Sequence, residues 1–141
     1  MKTILTLCLT VVITTLSIAQ EKEQATTTVT VHIENVLSDK GTIHTGLYTE
    51  DTFMKAAPNY SSKDTIKDGK VTLIFKNVPA GTYAISSYHD ENDNNQMDFE
   101  TTGMPKEDYW VSNNPADFGP PQWETAKFTV GKEPVILTLK Q

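Results

Sequence analysis

Apolar residues recur at every second position through most of this chain, not at every third or fourth. Val29, Val31 and Ile33 alternate with Thr28, Thr30 and His32. Val71, Leu73 and Phe75 alternate with Thr72, Ile74 and Lys76, and Tyr83, Ile85 and Ser87 with Ala84, Ser86 and Tyr88. Successive side chains of an extended strand point to opposite faces, so this period predicts strands with one buried face. Further strands are expected around Ile43 and Leu47, over Ala126, Phe128 and Val130, and over Val135, Leu137 and Leu139. Turn chemistry separates them at Ser38-Asp39-Lys40-Gly41, Asp68-Gly69, Pro79-Ala80-Gly81 and Gly131-Lys132-Glu133-Pro134. With a seventh strand around Tyr109 to Ser112 and room for only a helical turn or two at Asp51 to Ala57, the pattern predicts an all-β antiparallel β-sandwich. Val31, Leu73, Phe75, Tyr83, Ile85, Phe128 and Leu137 are its expected core.

One such domain is what 141 residues accommodate, since two would each lack a sufficient core. The formal net charge is −6, every basic residue is Lys, and none are clustered. Phosphate neutralisation needs clustered cations, which argues against nucleic acid or an anionic membrane surface as partner. The single Cys excludes a disulfide framework. At the start, Lys2 precedes an apolar stretch from Ile4 to Ile18, closed by Ser17-Ile18-Ala19. This is the pattern of an export signal over residues 1–19, cleaved after Ala19. The stretch falls short of the roughly 20 residues that span a bilayer. Residues 20–27 read as a polar tether and 28–141 as the sandwich, exported to the periplasm or beyond, with no membrane span in the mature chain.

The strongest chemical signal lies after the strand ending near Tyr88. Asp90, Asn92, Asn94, Gln96 and Asp98 occupy every second position, the spacing of the first, third, fifth, seventh and ninth ligands of a calcium loop, with Gln96 offering its backbone carbonyl. Asn95 sits at the sharp-turn position, where Asn tolerates a left-handed backbone. The twelfth position is Thr101 instead of a bidentate Glu. Two readings are open: a Ca2+ site in a long acidic loop, or an Asx-rich loop whose side chains bond its own backbone.

Other constellations are weaker. Tyr109, Trp110 and Trp123 bracket Asn113 and Asn114, a set suited to stacking on a glycan or peptide, unless a Trp instead plugs the core. His32 and His44, expected on consecutive strands, and His89 lack the tight spacing of a zinc site. His89 is expected to hold the acidic loop by a hydrogen bond. No nucleophile elbow, P-loop, dinucleotide fingerprint or zinc-protease motif occurs, so no catalytic residue is assigned.

The segment Asn77-Val78-Pro79-Ala80-Gly81-Thr82-Tyr83-Ala84, followed by His89-Asp90-Glu91-Asn92-Asp93-Asn94-Asn95, then Gly103-Met104-Pro105-Lys106-Glu107, Ser112-Asn113-Asn114 and Gly119-Pro120-Pro121, forms an ordered set. It resembles an uncharacterised family of exported bacterial proteins, number 2141 among the domains of unknown function. The resemblance runs from about Val29 to Leu139. It implies a small secreted sandwich, immunoglobulin-like or transthyretin-like, and implies no activity. The expectation is therefore an exported, non-enzymatic module with a calcium-stabilised loop and a protein or glycan partner at the cell envelope. The alternatives are a glycan- or peptide-binding module on the aromatic platform, and a hydrolase using Asp90 or Asp98.

Overall fold

The computed structural model describes residues 24–114 and 119–140. The export-signal segment and residues 20–23 of the tether lie outside them. Eight strands and one helical turn follow in the order β1 (Thr26–Glu34), β2 (Thr42–Tyr48), β3 (Tyr60–Thr65), β4 (Lys70–Pro79), β5 (Gly81–Asp90), β6 (Tyr109–Val111), α1 (Trp123–Ala126), β7 (Phe128–Val130) and β8 (Val135–Leu139). They form two layers. One is a three-stranded sheet ordered β4-β1-β8; the other is ordered β3-β2-β5-β6, with β7 also paired to β5.

The alternation in the sequence is what closes the sandwich. Val29, Val31 and Ile33 of β1, with Leu73 and Phe75 of β4, face Ile43 and Leu47 of β2 and Ile85 of β5 in one buried cluster. Fully burying such side chains contributes roughly 1.5–3 kcal/mol each. Of the seven expected core residues, Val31, Leu73, Phe75, Tyr83 and Ile85 are buried, while Phe128 and Leu137 are half-buried at its margin.

The Asp68-Gly69 pair turns β3 into β4 with both residues in the left-handed region, φ 52° and 70°. Lys67 and Lys70 exchange backbone hydrogen bonds across it. This is the geometry that Asp-Gly favours in a two-residue turn. The Asp39 carboxylate accepts the N–H groups of Asp68 (3.0 Å) and Gly69 (2.8 Å), tying the preceding turn to it.

Three expectations are corrected. First, β1 and β8 pair in parallel, beside otherwise antiparallel pairs. A hairpin enforces antiparallel order only between neighbours in sequence, and the rest of the domain lies between these two. Second, Ala126 closes α1 instead of opening a strand; its N–H reaches back to the Gln122 carbonyl. Third, β3 is an additional strand, and β1 begins at Thr26, two residues before the expected start of the domain. The seventh strand expected around Tyr109 to Ser112 is present as β6, which returns along β5, and Phe99 bridges Pro105 in the loop between them.

Candidate functional site

Side chains of β5 alternate between the core and the outer face of the larger sheet. Tyr83 and Ile85 belong to the main core, so Ser86, Tyr88 and Asp90 face outward. Asp90 is nevertheless fully buried, because the loop that follows folds back over it. Its Oδ1 accepts the Asn94 N–H at 3.0 Å and its Oδ2 the Asn95 N–H at 2.8 Å. His44 on the neighbouring strand β2 places Nε2 3.3 Å from Oδ2. A carboxyl group withdrawn from water needs polar partners on both oxygens, and these supply them.

The remaining loop residues converge on Asp98. Asn92 donates to its Oδ2 at 2.7 Å and Asn94 to its Oδ1 at 3.1 Å. The amide oxygens of the same two residues accept the N–H groups of Asn94 (3.0 Å) and Gln96 (2.8 Å). Asn95 takes φ 61° and Asp93 φ 56°, the two left-handed positions that curl the segment. The structure therefore brings Asp90, Asn92, Asn94 and Asp98 together, with Gln96 joined through its backbone. The Asn amide oxygens are taken up in Asx-turn bonding, and it is their NH2 groups that face Asp98.

Residues remote in sequence hold this loop in place. Glu107 accepts the Glu91 N–H at 3.2 Å on one oxygen and the Asp98 N–H at 3.0 Å on the other, bracketing the loop. Thr42 donates to Asp93 at 3.1 Å. Gly41, at φ 69°, lets the β1–β2 turn press onto the loop base; a Cβ there would lie 2.0 Å from the Asp90 carbonyl oxygen. Only the Asp/Asn spacing was visible in the sequence. The contributions of Gly41, Thr42, His44 and Glu107 depend on strand pairing, for which no local signal exists.

Among the described residues, no three His, Cys, Asp or Glu side chains converge as a metal-binding group. The loop set differs in kind, being two carboxylates with amide and backbone oxygens. The histidines do not meet. His32 lies in the three-stranded sheet and contacts Thr72 at 2.9 Å. His89 contacts the Lys40 carbonyl at 2.6 Å, holding the β1–β2 turn instead of the acidic loop. His44 stacks on Tyr88, with centroids 5.0 Å apart and planes 24° from parallel. The Tyr88 phenol is raised above its ordinary value of 10.0, first by burial and then by Asp90, Glu107 and Tyr48, and so stays a neutral donor.

The five aromatic and amide residues do not make a platform. Trp110 is 2% exposed within the main core. Trp123 packs against Phe53 in a second apolar cluster, with Ala84, Val111 and Ala126. Tyr109 alone of the three aromatics is exposed. The Asn113 amide donates to the Thr125 and Lys127 carbonyls, and the Asn114 amide to that of Thr138. The hydrolase reading also loses Asp90, whose carboxylate is closed to a polymer substrate.

Among the described residues, no helix is long and apolar enough to cross a membrane. No curated protein and no solved structure matches the chain. The model of a family described as an uncharacterized protein conserved in bacteria, DUF2141, matches residues 31–138. That match begins inside β1 and ends inside β8, covering both sheets and the loop between β5 and β6, and the chain belongs to this family.

Proposed function

We propose that the chain is an exported, non-enzymatic β-sandwich module, closed by Ca2+ across the loop from Asp90 to Asp98 and engaged with a protein or glycan at the cell envelope. The observation that carries the calcium reading is the convergence of Asp90, Asn92, Asn94 and Asp98 within one hydrogen-bonded network. Ca2+ takes about 6–8 oxygens at roughly 2.3–2.6 Å. Two carboxylates, two amide oxygens and the Gln96 carbonyl supply most of such a shell once the Asn amides rotate their oxygens inward, and water completes it. Export is supported by Lys2, the apolar stretch Ile4 to Ile18 and Ser17-Ile18-Ala19.

Without a Glu at the twelfth position, affinity belongs at the weak end for calcium modules, roughly 10⁻⁴–10⁻³ M. At about 20 times the dissociation constant, a native-state ligand stabilises by about 1.8 kcal/mol. A domain of this size should then melt roughly 3–8 °C higher in Ca2+ than in EDTA. Asp98→Ala should abolish that difference, and Glu91→Ala, whose side chain is exposed, should keep it. A melting temperature unmoved by about 20 mM Ca2+, roughly 20 times the weakest dissociation constant in this range, sinks the reading and leaves an Asx-turn loop.

A further inference from the structure

A second feature lies on the same outer face, beside the loop. Gly46 of β2 pairs across the sheet with Ser61 of β3 on one side and Ser86 of β5 on the other. Ser61 and Ser86 are small, and Tyr48 and Pro58 cover Gly46 between them, so a depression opens over the serines. The resulting cleft measures about 480 Å³, inside the range of roughly 300–1,000 Å³ for small-molecule sites. Tyr48 and Pro58 wall one end. A Cβ on Gly46 would come within 2.5 Å of the Tyr48 ring and 2.8 Å of Pro58, so both lean over the floor. Tyr88, backed by the stacked His44, is at the other end.

The lining selects a ligand class. Lys63, the register partner of His44, stands at the rim with its ammonium donating to Asn95 at 3.2 Å. That charge disfavours a cation, while the Asp90 carboxylate, 3.3 Å from the lining His44, disfavours an anion. A purely apolar ligand would leave the serine hydroxyls and tyrosine phenols without partners. A neutral polyhydroxylated ring satisfies both sets, its C–H face on an aromatic ring and its hydroxyls on Ser and Tyr. We infer that this cleft is a binding site for a neutral saccharide, with Tyr88 as stacking surface and Ser61 and Ser86 as hydrogen-bonding floor.

The site stands independently of the calcium reading, and the test is run in EDTA to keep it so. The 15N-labelled chain is titrated with maltose, cellobiose and N,N′-diacetylchitobiose, beside glucuronate and choline as charged controls. At least one neutral disaccharide should shift the backbone amides of Gly46, Ser61, Ser86 and Tyr88, with little response to either control. Tyr88→Ala should weaken that binding at least ten-fold. Ser86→Val, which fills the floor, should abolish it, with dispersed spectra showing that both variants remain folded. Silence at these four amides with all three disaccharides overturns the assignment. So do equal responses to glucuronate or choline, or shifts gathered around Tyr109 and Trp123.

Discussion

At φ 56°, Asn77 occupies a backbone region that costs most L-residues roughly 1–2 kcal/mol. The register explains why the position exists. Thr27 pairs with Val78 and Val29 with Phe75, so β4 carries one residue more than β1 across the same span. Asn77 absorbs it as a bulge, and both Phe75 and Val78 stay buried despite being three positions apart. Asn77→Gly should preserve stability in urea denaturation, whereas Asn77→Val should lose about 1–2 kcal/mol, because a β-branched side chain resists the left-handed region. The sequence shows the regular alternation up to Phe75 but not this slip of phase. The same limit applies at the loop. The Asp90 to Asp98 spacing and the left-handed Asn95 are local properties and are legible there, while Glu107 and His44 arrive through pairing.

Among the elements, those with one buried apolar face were legible and those with mostly exposed side chains were not. β1, β4 and β5 announce themselves by alternation. β3 reads Tyr-Ser-Ser-Lys-Asp-Thr, with most of its side chains exposed, and exists because an edge strand can form its ladder to β2 whatever it carries outward. The run from β6 to β8 is joined by side chains, not by alternation. The Ser112 hydroxyl, fully buried, accepts the Ile85 N–H at 2.9 Å and donates to the Ala126 carbonyl at 2.6 Å. Asn113 and Asn114 extend the stitching to Lys127 and to Thr138 and Lys140. Ser112→Ala leaves a buried N–H without its partner and should lower unfolding free energy by about 1–3 kcal/mol, read as a lower urea midpoint at unchanged slope.

At the scale of the molecule, the two faces of the β3-β2-β5-β6 sheet have different duties. The inner face packs the main core, and the outer face carries the second apolar cluster, the saccharide cleft and the acidic loop in turn. Of these only the loop's spacing is legible residue by residue, since the cleft is lined by residues that pairing of β2, β3 and β5 brings together. The remaining feature is the seat of β1 at the centre of its sheet, with β8 in parallel beside it. On a ribosome or a translocation channel the chain emerges in order, so β1 waits with one edge open until β8 is released. Its partner is then almost the full length of the domain away, and such distant closure makes for slow folding. The domain should thus remain threadable until β8 has emerged and snap shut only then. Deleting residues 135–141 should leave a protease-sensitive chain lacking the native spectrum, whereas a truncated chain that still folds cooperatively would show that β8 is a late ornament and not the closing step.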